Sequence, residues 1–198
     1  MAQLIQKYLQ LVLLLITPQE LPGQPIALWI SVAAAFIASL AGLLFAYRFG
    51  DAVLRSVLAI LVPGVLVYAM LGVKNLQSRF VQSYSALCGS AAVIYIIALP
   101  LLPAFFSAAA DSSSGKLIIF IVLLLDIWTL LITAHIFKYA FEVGFASAIS
   151  LAVVMMIVTL LTIETLAPTP QVEHSAPTAD TQNVQMAMMI WRGLYRSG

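Results

Sequence analysis

The chain has 198 residues, 63% of them hydrophobic and only 9% charged, with a mean hydropathy of +1.06. Soluble domains are roughly half apolar and about a quarter charged, so these few charges exclude a wholly water-facing surface. The net charge of +1 leaves no basic face for nucleic acid, and the single cysteine, Cys88, excludes an intrachain disulfide and any CxxC metal or redox pair.

The opening "MAQLIQKYLQLVLLLITPQELPGQP" holds an unbroken apolar run only over 11–16, too short to span a bilayer. A signal peptide would need a more basic start than Lys7 alone and a small-residue cleavage site, and neither is present. The expectation for residues 1–24 is a helix lying in the membrane interface, ended by Pro18, and a loop.

Five stretches then carry about 20 mostly apolar residues each: 26–47, 52–73, 80–102, 117–141 and 145–166. The predicted fold class is all-α, a polytopic transmembrane helix bundle of about five spans occupying 25–166. Pro63-Gly64 falls mid-span in the second stretch and predicts a kink, tolerable in lipid only if neighbours satisfy the freed backbone groups. Pro100 and Pro103 kink or end the third. "DSSSG" before the fourth reads as a turn.

After the fifth span, 167–198 reads as a mobile tail. "APTPQVEHSAPTADTQNV" has a linker composition. In "QMAMMIWRGLYRSG", Met189, Trp191, Leu194 and Tyr195 beside Arg192 and Arg196 fit either an end touching the membrane surface or a loose tail. Five spans put the termini on opposite sides. Lys7, Lys74, Arg79 and Lys138 fall on the N-terminal side, against Arg48, Arg55 and Lys116 on the other. Four against three votes for the N-terminus inside.

The fourth span, within "LLLDIWTLLITAHIFKYAFEV", carries the intramembrane polar candidates Asp126, Thr129, Thr133 and His135. Trp128, His135 and Glu142 lie along one stripe at intervals of seven, and Lys138 neighbours both His135 and Glu142. Lys138 and Glu142 sit near the boundary and read as an interfacial ion pair. Asp126 lies near the midplane, where a charge costs roughly 2.5–3.5 kcal/mol. It is expected to face the bundle interior, protonated or hydrogen-bonded to Thr129, Thr133 or a neighbouring helix. His135 reads as a helix–helix hydrogen bonder, since no HxxxH, HExxH or carboxylate cluster accompanies it.

Small residues at intervals of four (Ala34, Ala38, Gly42 and Ala46; then Ser85 and Gly89) predict close helix packing. With Trp128 they form the expected packing set. Phosphate-loop, dinucleotide and hydrolase motifs are absent. Ser, His and Asp occur without catalytic spacing, so neither an enzyme nor a bound cofactor or metal is expected.

"RFVQSYSALCGSAAVIYIIALPL" resembles the aromatic-x-Gln, Ala-Leu-x-Gly opening of a span in bacterial Yip-family membrane proteins, through Phe80, Gln82, Ala86, Leu87 and Gly89. "LLLDIWTLLITAHIFKYAFEVGFASAISLAVV" resembles later spans of that family through Trp128, His135, Ala140 and Gly144. The resemblance covers about 80–161 and implies a five-span bundle. The eukaryotic branch is implicated in vesicle trafficking and binds small GTPases, but its acidic segment with the D-L-Y-G-P motif is missing here, so GTPase binding is not implied. The functional expectation is a non-enzymatic scaffold, assembly or membrane-organising factor of a bacterial inner membrane. It would bind other membrane proteins or lipid, with a homo-oligomer left open. The alternative is a small transporter or channel subunit using Asp126 and His135.

Overall fold

The computed structural model describes residues 2–107 and 113–168. Residues 169–198, with the readings made for the tail, lie outside the described residues. Seven α-helices are described, and there is no strand among the described residues: α1 (Ala2–Val12), α2 (Pro25–Leu43), α3 (Phe49–Val73), α4 (Phe80–Ala98), α5 (Leu102–Ser107), α6 (Ser113–Ala140) and α7 (Phe145–Leu166). Five of the described segments are long and apolar enough to cross a membrane. The protein is an all-α membrane helix bundle.

The span boundaries shift from those expected by a few residues, for local reasons. α2 starts with Pro25 at its first position, where the missing N–H costs nothing, and ends at Leu43 rather than Tyr47. Residues 44–48 turn, and α3 starts at Phe49. The third span stops where its prolines predict: α4 ends at Ala98, a 3₁₀ turn covers Leu99–Leu101, and the short α5 follows. α6 begins at Ser113, so the last three residues of "DSSSG" are helical rather than a turn.

α4 is the axis of the bundle, packing against α1, α2, α3 and α6. Eight consecutive residues, Ser83 to Ser90, are buried, which is only achieved by a helix with neighbours all round. Their sequence, SYSALCGS, is short-chained and polar. In lipid that is the expected inversion: small residues let backbones approach, and the bulky aliphatic side chains go outward. The span containing α4 is 44% buried, against 11% for the more apolar span of α6. α2 packs on α4 and α3, and its buried residues are the small ones Ala27, Ser31, Ala35, Ala38 and Ser39. Of the residues expected to pack, Ala38, Ser85 and Gly89 are buried, whereas Trp128 is partly exposed. Gly42 is partly exposed and approaches Leu102, and Ala46 lies beyond the helix.

The break at Pro63-Gly64 is filled from α4. α3 continues through Pro63, and Tyr84 lies in the notch, donating its hydroxyl to the Ile60 carbonyl at 2.5 Å. A Cβ on Gly64 would come within 2.8 Å of that ring and hydroxyl. Pro63 leaves the Ala59 carbonyl without its helical donor, and Tyr84 bonds the next carbonyl along, beside that break.

The helix foreseen at the N-terminus forms as α1 and keeps Leu9 and Leu13 exposed. It ends at Val12, well before Pro18. Leu14 takes a left-handed conformation (φ 60°) and the Leu15 N–H donates back to the Gln10 carbonyl at 2.9 Å, the six-to-one bond of a Schellman stop. The inner face of α1 is fully docked: Tyr8, Leu11 and Val12 are buried. The Tyr8 hydroxyl joins Ser31 of α2 at 2.5 Å and Ser85 of α4 at 2.9 Å, and its ring fills the space that a side chain at 89 would need.

At the opposite end of the bundle, Arg55 of α3 is buried and holds the end of α7. It pairs with Glu164 at 3.1 Å, donates to the Ala167 carbonyl, and lies 4.2 Å from the centre of the Tyr47 ring.

Two close approaches carry the helix packing, so Gly89→Ala and Gly64→Ala are each expected to destabilise the bundle by about 1–3 kcal/mol through overpacking. Gly50→Ala, which meets nothing within 4 Å, is the control, expected within about 0.5 kcal/mol of wild type. Denaturant titration in micelles measures all three.

Candidate functional site

The polar residues of α6 divide into three groups, and only one matches the placement expected for it. Trp128 and His135, seven apart, both face the N-terminal segment. The Trp128 indole N–H donates to the Val12 carbonyl at 3.1 Å, and His135 Nε2 lies 3.2 Å from the Ile16 carbonyl. Trp128 is ~18 Å along the helix axis from Ala140, so the end of α1 reaches the middle of α6. Helix-end carbonyls have no partner within their own helix, and here a neighbouring span supplies donors. His135 is thus a hydrogen bonder, as expected, but to an irregular segment rather than to a helix. Its ring also packs edge-on to Tyr139, 5.0 Å between centroids.

Lys138 and Glu142 do not pair. The i, i+4 relation needs an unbroken helix, and α6 ends at Ala140 with Glu142 left-handed (φ 52°). That turn swings the carboxylate across to Arg79, at 2.6 Å. Arg79 also donates to the Tyr139 carbonyl at 3.3 Å, and Lys74 to the Phe141 carbonyl at 2.8 Å. Two cations from the α3–α4 connection therefore cap the C-terminal end of α6, where its dipole is negative. Lys138 instead lies over the Tyr139 ring, 5.2 Å from its centre.

Asp126 is not in the interior. Its side chain is exposed and, among the described residues, makes no hydrogen bond or ion pair, though it lies within electrostatic reach of the Tyr95 hydroxyl of α4. Thr129 and Thr133, the partners expected for it, donate to the Leu125 and Thr129 carbonyls of their own helix at 2.8 and 2.9 Å. A threonine in a helix satisfies itself this way without leaving its turn. The C-terminal half of α6 is covered, with Ile132, Ala134, Ile136, Phe137 and Ala140 buried, whereas Ile119, Phe120, Leu123, Leu124 and Ile127 of the other half are exposed. Asp126 belongs to the uncovered half.

Thr129 and Thr133 reach a cavity of about 150 Å³ walled by all five spans, together with Ser39, Tyr84, Cys88 and Tyr95. Its hydroxyls are largely occupied: Ser39 donates to Phe36 and Tyr84 to Ile60, besides the two threonines. No carboxylate, imidazole or ammonium group is among its lining residues. A cavity of this size and lining suits a small apolar molecule better than an ion. A second, open groove of about 450 Å³ between α2, α3 and α4 is lined by apolar and aromatic residues including Trp29, Phe36, Leu61 and Phe80. Among the described residues no group of three His, Cys, Asp or Glu side chains could hold a metal ion.

Sequence reasoning missed Tyr8, Tyr84 and Arg55. A signal existed for Tyr84, because the proline break in α3 demanded a hydroxyl from somewhere. Nothing in the sequence pairs Tyr8 with Gly89 or Arg55 with Glu164, 109 positions apart. No protein-family model, curated protein or solved structure matches the chain.

Removing one donor at the end of α1 leaves a carbonyl unpaired at membrane depth. Trp128→Phe and His135→Leu are each expected to cost about 0.6–1.7 kcal/mol, the measured range for hydrogen bonds between membrane helices. The double variant should lose less than the sum, since both bonds hold one segment. Asp126→Asn, on an uncovered face, should stay within about 0.5 kcal/mol of wild type in the isolated protein. Unfolding midpoints in one detergent check the series.

Proposed function

We propose that the protein is a non-enzymatic scaffold or assembly factor of a bacterial inner membrane, acting by binding other membrane proteins along the outer face of α6. One observation carries this reading: an aspartate stands near the middle of the span Gly115–Ala140, on a face that the bundle leaves bare. A lipid-facing carboxylate at that depth is costly and marks a site of function. The packing of the rest supports a rigid support rather than a moving pathway. α4 is enclosed by small-residue contacts, and the connections at one end are locked by Lys74 and Arg79.

Membership of the Yip-like family belongs to the same proposal. Its support is the likeness over 80–161, together with the roles of the residues that carry it: Gln82 donates to the Leu21 carbonyl at 3.1 Å, Gly89 makes room for Tyr8, and Trp128 and His135 hold the end of α1. The transport reading asked Asp126 and His135 to share a path. Asp126 is exposed and His135 is bonded to the Ile16 carbonyl, so the two do not share a path.

Site-directed crosslinking in intact membranes tests the proposal. In a Cys88→Ser background, Ile127→Cys should give a discrete adduct with a membrane protein. Ile37→Cys, on the still more exposed outer side of α2, should not. Identical diffuse labelling from both positions would remove the basis for a docking face on α6.

A further inference from the structure

We propose that the partner on the α6 face is a membrane-spanning helix that carries a lysine or arginine near its midpoint, paired with Asp126. This deepens the scaffold reading and rests on it.

The argument is charge complementarity at a fixed depth. Asp126 is ringed on its own helix by Leu123, Leu124 and Ile127, all about half exposed. None of these can hydrogen-bond. Thr129, the nearest hydroxyl on the next turn, already donates to the Leu125 carbonyl. Ionised in lipid, the carboxylate would have no water and no hydrogen bond within the described residues, with only the Tyr95 hydroxyl in electrostatic reach, an arrangement that costs a great deal. A cation on a facing helix removes both defects at once, and the surrounding aliphatic face supplies the apolar rim that keeps the pair dry.

A second copy of this chain does not meet the requirement. Two copies apposed through α6 would bring Asp126 against Asp126. The basic residues of α6, Lys116 and Lys138, lie ~15 and ~18 Å along the helix from Asp126, and a shift of that size would carry one copy halfway out of the bilayer. The remaining intramembrane cation, Arg55, is buried against Glu164, Tyr47 and Ala167. Lys74 and Arg79 are committed to the end of α6. Among the described residues, then, no cation is placed to meet Asp126, and the proposal takes it from a different protein.

The test uses the full-length protein in phosphatidylcholine vesicles with a synthetic Leu/Ala transmembrane helix carrying one central lysine, followed by energy transfer between labels. The same helix with leucine in place of the lysine is the comparison. The lysine helix should associate about tenfold more tightly than the leucine helix, in keeping with a desolvated charge-assisted bond. Asp126→Asn should abolish most of the difference, and Asp126→Glu should restore it. Equal binding of both helices, unchanged by Asp126→Asn, would overturn the cation requirement while leaving α6 a docking face. Binding of neither helix would overturn both the inference and the scaffold reading. Unchanged unfolding midpoints of the Asp126 variants separate these outcomes from misfolding.

Discussion

A backbone carbonyl at membrane depth has no water to accept from, and the first helix of this protein ends at such a depth. The fold depends on how that end is satisfied. Trp128 and His135, two turns apart on α6, answer the Val12 and Ile16 carbonyls. One turn earlier in α1, Tyr8 is fixed to Ser31 and Ser85. These bonds join the N-terminal segment to α2, α4 and α6 together. The close approach that they impose explains why position 89 is glycine and why α4 is built of small residues.

The same rule recurs wherever regular hydrogen bonding is interrupted. The Tyr84 hydroxyl bonds beside the proline break in α3, Lys74 and Arg79 cap the end of α6, and Arg55 meets the residues after α7. Each irregularity draws one or two long polar side chains from elsewhere in the bundle. The bundle therefore spends its few polar residues on its own backbone, which is why so few remain to line a path or a reaction site. Asp126 is the conspicuous remainder. It is polar and deep, and among the described residues it makes no hydrogen bond, which is why the proposal looks outward to a partner.

Much of the architecture was legible in advance. Length and hydropathy give five spans because a bilayer of fixed thickness demands about 20 apolar residues each. Pro63, Pro100 and the turns show their effect locally. The small-residue spacing at Ala38, Ser85 and Gly89 marks true contacts, since close packing in lipid leaves few other solutions. His135 was legible as a hydrogen-bond donor or acceptor, though its partner was not. The side that Asp126 faces was misread because sharing a helical face with Thr129 and Thr133 says nothing about whether a neighbour covers that part of the helix. Lys138 and Glu142 were misjoined because a helix end two residues away changes which groups can meet.

What the sequence determined by itself is the solvent: 63% apolar residues with 9% charge require a lipid environment and helices that satisfy their own backbone within it. It also determined where those helices run, because that pattern is local. Only the tertiary structure decided what each polar side chain is for. Pairings such as Tyr8 with Ser85, Arg55 with Glu164 and Trp128 with Val12 depend on the order in which helices surround α4 and on each helix's rotation. In a sequence that is apolar on nearly every face, periodicity carries almost no information about rotation.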